Sequence, residues 1–167
     1  PRARAIMVTN SEKLANLVSD EVERQLSQLP RESIARPAIE NNSYIAVMDS
    51  VEDMFTVMNE VAPEHLEIQL PDPMGYMSLV QNAGSVFLGA YASEPLGDYV
   101  GGTNHVLPTS GTARFSSPLG VYDFVKRTSF TQFTKERLEE VETHITTLAR
   151  TEGLEAHARA IEVRFEK

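Results

Sequence analysis

Cysteine is absent from the 167 residues. Disulfide scaffolds, cysteine-ligated zinc and thiol nucleophiles are therefore excluded, and a cytoplasmic setting agrees with this. Basic charge is scarce as well: 15 Lys and Arg stand against 24 Asp and Glu, for a net charge of -9. The closest thing to a basic cluster is Lys126-Arg127, so neither nucleic acid nor an anionic membrane surface is an expected partner. No apolar run approaches the roughly 20 residues that span a bilayer. Pro1 to Thr9 is too short and too mixed for a signal peptide. Also missing are a GxGxxG after a strand, a P-loop, an HExxH and any pair of histidines at metal spacing within one helix. What remains is 41% hydrophobic and 23% charged, a globular composition. A chain of this size hides roughly 70% of its unfolded surface, enough for a core of its own. It opens on Pro1 without a Met, and the expectation is a cut or processed fragment.

Apolar spacing then assigns the elements. Ala5-Ile6-Met7-Val8 reads as a short buried strand, with Thr9, Asn10 and Ser11 supplying a cap for a helix. Leu14, Ala15, Val18, Val22, Leu26 and Leu29 recur at helical spacing until Pro30. Ser43 to Met48 is a second strand. Ser50-Val51-Glu52-Asp53 has the form of a capping box, hydroxyl at N-cap and acid at N3, each expected to satisfy a free backbone N–H. The helix it opens carries Met54, Phe55, Met58 and Val61. Leu66, Ile68 and Leu70 alternate as a strand, Met74 to Val80 reads as a short helix, and Ser85 to Leu88 as a strand covered on both faces. Strands and helices alternate thus far, which implies an α/β fold with a mostly parallel sheet and flanking helices. From Gly89 to about Gly120 no period is sustained, and a loop of that length in a compact domain is usually functional or disordered. Residues 121–130 are ambiguous. Two helices close the chain, one with Leu138, Val141, Ile145 and Leu148, the next with Leu154, Ala158, Ile161 and Phe165 and with Thr151 as its N-cap. The expected division is 1–115, a partial α/β domain, and 116–167, a helical tail.

Four histidines bear on function. His144 lies beside an apolar stripe and reads as surface. His157 falls on the apolar stripe of the last helix, where a lone histidine is more often an interface residue than a ligand. Pro63-Glu64-His65 joins a helix to a strand, and a carboxylate beside an imidazole offers two proton carriers with different pKa values. Neighbouring strand residues face opposite ways, so both serve one site only if the backbone turns there. Chance pairing is the plain alternative. In Gly97-Asp98-Tyr99-Val100-Gly101-Gly102-Thr103-Asn104-His105, an Asp and a His, both good zinc ligands, sit among glycines that permit tight paths. An ordinary polar surface loop reads equally well.

Taken together, Ala62-Pro63-Glu64-His65-Leu66-Glu67, Asn82 to Gly89, Gly97-Asp98-Tyr99, Gly102 to Thr109, Ala113 to Ser117 and Asp123 to Arg127 resemble the histidinol dehydrogenase family. The likeness runs in order to Glu152 and Ala156-His157. It implies a zinc-dependent, NAD-linked oxidation of L-histidinol through the aldehyde to L-histidine, within histidine biosynthesis. It further implies that the α/β part is an incomplete Rossmann-like domain. By the same resemblance Glu64 is the general base that activates water, and His65 is its partner in the alcohol and hydride steps. Asp98 and His157 match zinc ligands; His105 and Glu152 match substrate contacts, and His65, Asp98 and His157 also face substrate. The zinc positions the substrate's imidazole and amine. The resemblance assigns no NAD-binding residue.

One departure stands out. Members of the family supply two more zinc ligands, a Gln and a His, just upstream of the strand matching Ala5 to Val8, and here no histidine precedes His65. The expectation is a C-terminal portion, inactive alone, that forms a homodimer through its tail. An inactive binding or dimerisation module of the same family is the alternative. An unrelated Glu64-His65 hydrolase lacks a nucleophile motif such as GxSxG.

Overall fold

The computed structural model describes residues 2–166. It comprises two compact units, 1–124 and 125–167; the expected division was at 115. In the first unit, strand β1 (Ile6–Thr9) pairs in parallel with β2 (Tyr44–Val47), in register Ile6 with Tyr44 and Thr9 with Val47. A parallel pair needs a crossover, and two helices supply it, α1 (Glu12–Leu26) and α2 (Glu32–Asn42). The Ser11 hydroxyl caps α1 by accepting the Leu14 N–H at 3.2 Å.

Sequence spacing does not reveal α2. Pro37 lies inside it, lacks an N–H and cannot donate to the carbonyl one turn back. The helix is held from outside, where Arg36 reaches Glu23 of α1 at 2.9 Å and Glu32 of its own helix at 2.7 Å.

Helix α3 (Val51–Val61) leads to β3 (His65–Ile68), which pairs in parallel with β4 (Ser85–Leu88). The cap of α3 differs from the expected box. Ser50 Oγ accepts the Asp53 N–H at 3.1 Å but donates to Asp53 Oδ2 at 2.7 Å. The acid thus accepts the hydroxyl's hydrogen bond instead of one from the Ser50 backbone. The sheet is parallel as expected but divided into two pairs of strands. One face of β3–β4 carries the core, where Phe55 and Met58 of α3 meet Ile68, with Leu66, Val86 and Leu88 packed round them. Phe55 stacks on Tyr76 at 5.8 Å, in the segment Pro73–Leu79, which is a 3-10 turn and not an α-helix. Asn59 fastens that segment's end: its amide donates to the Leu79 carbonyl at 2.9 Å and its Oδ1 accepts the Gln81 N–H at 2.8 Å.

The aperiodic stretch after Gly89 contains a helix, α4 (Glu94–Tyr99), and a 3-10 turn, Thr112–Arg114. In the second unit α5 (Lys135–Thr151) packs on α6 (Glu155–Glu162). Thr151 ends α5 instead of capping α6: its hydroxyl donates to the Thr147 carbonyl at 2.9 Å, and Leu154, which has no side-chain cap, begins α6. Residues 121–124 form a 3-10 turn, and the chain is irregular from there to α5.

Candidate active site

The site begins where α3 stops. Ala62 ends the helix in the left-handed region at φ 49°, a conformation that costs a residue with a β-carbon. The reversal sends Pro63 and Glu64 into a bend before β3. Gly84 N–H donates to the Pro63 carbonyl and Ser85 N–H to the Glu64 carbonyl, both at 2.9 Å. A β-carbon on Gly84 would lie 2.6 Å from that Glu64 oxygen and 3.1 Å from Pro108 Cδ. Position 84 thus has no room for a side chain between the Glu-His turn and the 104–109 segment. Among the described residues, the Glu64 side chain forms no hydrogen bond or ion pair.

Strand alternation sorts the rest. Leu66 and Ile68 point into the core, so His65 and Glu67 point the other way, together with Phe87, the register partner of Glu67. Helix α4 covers this second face. Its Glu94 and Asp98 are four residues apart and share one side of the helix. His65 Nε2 lies 3.9 Å from Glu94 Oε1. One ligand atom each from His65, Glu94 and Asp98 fall within 4.8 Å of one another, and all three residues are half-buried. The imidazole leans on the Phe87 ring, centroids 6.1 Å apart and planes tilted by 35°. Burial first, and then the Asp98 carboxyl beside it, push the Glu94 carboxyl above the usual carboxylate range, against the pull of His65. An imidazole nitrogen and carboxylate oxygens are donor types that suit zinc. Of the zinc ligands that the resemblance implies, Asp98 belongs to this cluster, which fits the metal at that position, and His157 belongs to the second unit.

Of the residues expected from sequence, His65 and Asp98 come together and Glu64 flanks them in the chain. Glu94 was missed, although Ser93-Glu94-Pro95 is a helix-opening signature and the spacing to Asp98 is one helical turn. His105 is exposed at the tip of a turn in which Asn104 Oδ1 accepts the Val106 N–H at 2.7 Å. Glu152 and His157 belong to the second unit, Glu152 as the C-cap of α5 and His157 on α6, and both are exposed. His144 is exposed on α5, in agreement with its surface reading.

The fold and site define a parallel α/β chain with a carboxylate–imidazole cluster under a short helix. The family model for histidinol dehydrogenase matches residues 1–165. The curated histidinol dehydrogenase of Lactiplantibacillus plantarum is 66% identical over 99% of this chain and 39% of its own length. That of Streptococcus mutans is 61% identical with the same coverage. The crystal structure of histidinol dehydrogenase from Elizabethkingia anophelis superimposes with a TM-score of 0.77 at 38% identity, over 98% of this chain and 37% of that one. The chain belongs to the histidinol dehydrogenase family, and it spans about two fifths of the length of these curated relatives.

Proposed function

We propose that this chain is the C-terminal portion of a zinc-dependent, NAD-linked histidinol dehydrogenase that oxidises L-histidinol through the aldehyde to L-histidine. The observation that carries the reading is the convergence of His65 and Asp98, joined by Glu94, on one sheet face beside the Glu64 turn. In this reading Asp98 and His157 would hold zinc. Bound there, the metal supplies a template that fixes the substrate's imidazole and amine. His65 takes the alcohol proton; the Glu94 carboxylate opposite Nε2 steadies the charge the ring then carries. Glu64, with its side chain unengaged and its backbone fixed by Ser85, removes a proton from the water that attacks the aldehyde. His105 and Glu152 contact substrate. No residue of this chain is assigned to NAD.

We place the enzyme in the cytoplasm as a homodimer. No helix among the described residues is long and apolar enough to cross a membrane. Phe130 is 92% exposed ahead of α5, and Leu148 on that helix is 65% exposed. In this reading such side chains are where the tail would dock on a second subunit.

The test is NADH formation from L-histidinol by the chain in its full-length context, with zinc. Turnover that disappears on chelation and in His65→Asn supports the reading. A folded, zinc-loaded protein with no turnover overturns it in favour of a binding or dimerisation module. The 167-residue chain alone is expected to give no histidinol-dependent NADH.

A further inference from the structure

Helix α4 is six residues long and has Pro95 and Gly97 among them. Such a helix is too short to persist by itself. Ser93 stands at its N-cap position, yet its hydroxyl forms no cap hydrogen bond. Pro95 has no N–H, and the Leu96 N–H donates to the Ser93 carbonyl at 2.9 Å. That leaves the Glu94 N–H as the first free donor of the helix, one of the groups every helix start must satisfy from elsewhere. Glu67, 27 residues earlier on β3, satisfies it: Oε1 accepts the Glu94 N–H at 3.0 Å. The other oxygen of the same carboxylate, Oε2, accepts from Gln69 Nε2 at 3.2 Å, which holds the side chain in this orientation. A carboxylate at a helix start also meets the positive end of the helix dipole.

We infer that Glu67 is a positioning residue of the site, a cap lent by the strand that seats α4 over His65. Glu67 and His65 lie two apart on one strand and so share a face. The bond from Glu67 to the Glu94 backbone therefore ties the carboxylate-bearing helix to the strand that bears the imidazole. Glu94 and Asp98 ride on that helix one turn apart, and both shift against His65 if its first residue does. Glu67 is exposed; it bonds to the Glu94 backbone, and its negative charge also bears weakly on the Glu94 carboxyl, an influence that the Gln variant separates from the cap.

The consequence for turnover rests on the proposed dehydrogenase reading; the cap itself does not. Three variants in the full-length context separate the possibilities. Glu67→Ala and Glu67→Met remove the acceptor, the second while keeping the side chain's bulk. Glu67→Gln keeps an acceptor oxygen and loses the charge. Amide exchange over residues 94–99 should accelerate at least about 10-fold in the Ala and Met variants and stay near the parent rate in Gln. With L-histidinol, kcat should fall roughly 10–100-fold in Ala and Met, as for other groups that orient ligands from behind, and recover in Gln. Unchanged exchange over 94–99 in Glu67→Ala overturns the inference, and so does a Gln variant as impaired as Ala, because charge and not capping would then be at work. A parent protein that does not oxidise histidinol removes the dehydrogenase reading, while the exchange comparison still decides the cap.

Discussion

Gly97 rests directly on Phe87: a β-carbon at position 97 would lie 2.7 Å from both Cε1 and Cζ of the ring. The ring in turn supports the His65 imidazole, 6.1 Å between centroids. A bare α-carbon on α4, a buried phenyl on β4 and the imidazole on β3 thus form one stack, and the height of α4 over the sheet is set by the lack of a side chain at 97.

Gly97→Ala opposes two effects. Alanine is favoured over glycine inside a helix by about 1 kcal/mol. Forcing a methyl into an occupied position costs about 1–3 kcal/mol. The obstacle is a rigid ring already packed against His65, so the clash should win by about 1 kcal/mol or more. A lowered urea midpoint and slower turnover are expected, with partial recovery in Gly97→Ala/Phe87→Leu. A single variant more stable than the parent would mean that α4 has slack above the ring.

Glu64→Gln should separate the two half-reactions. The side chain has no partner among the described residues, and the backbone oxygen bonded to Ser85 is untouched by the change. The fold should therefore be indifferent. Losing a proton acceptor costs roughly 10²–10⁴-fold in the step that needs it. Aldehyde oxidation should carry that loss and alcohol oxidation little of it, as read by stopped-flow with each substrate. Equal losses would remove Glu64 from water activation.

The readable parts of this chain are those whose residues settle their own conformation. Strands β1, β2 and β4 show as apolar runs and β3 as an alternation, and Ser11 and Ser50 cap the helices they precede. Helix α2 was hidden by Pro37, since what offsets the lost bond is Arg36 gripping a carboxylate 13 residues away. Helix α4 was hidden because its cap comes from Glu67 and its seat from Phe87, both on other elements. The same reason explains the site. His65 and Asp98 were legible as chemistry within a family pattern, whereas Glu94 acquires meaning only once α4 exists and turns it toward His65.

The second unit should lose stability in acid, and Arg150 is the place to look. Its guanidinium donates to Glu155 at 2.8 and 2.9 Å, joining the end of α5 to the start of α6, and also contacts Glu162 at 2.8 Å. The hydrogen bond from Arg150 holds the Glu155 carboxyl below its ordinary value of 4.5. A carboxylate depressed in the folded state contributes stability that is fully present above its unfolded value. That contribution disappears as pH falls through the folded one. Both groups are well solvated, so the effect is small. Between about pH 7 and about pH 3.5 the melting temperature should fall further in the parent than in Arg150→Met. Identical pH profiles would show that the pair does not help to hold the helices together.

The proposed dimer makes the sharpest demand. Ala158 is fully buried, and Ile161 and Phe165 are partly so, as the apolar stripe on α6 requires. His157, expected on that stripe, is exposed instead. A side chain is displaced from its helix's packed face by rotating about 100° to the neighbouring position, so α5 claims Ala158 and leaves the imidazole available to something else. If that is zinc in a partner subunit, one intact site needs Asp98 from one chain and His157 from the other. Full-length His157→Asn and Asp98→Asn should each be inactive. Once mixed and exchanged, half the dimers are heterodimers, and each holds one site with both ligands and one with neither. Recovery should approach about one quarter of parent activity. Native mass spectrometry verifies the exchange, and zinc content should rise in parallel with turnover. If heterodimers form and remain inactive, both ligands come from the same chain and the shared-site proposal falls.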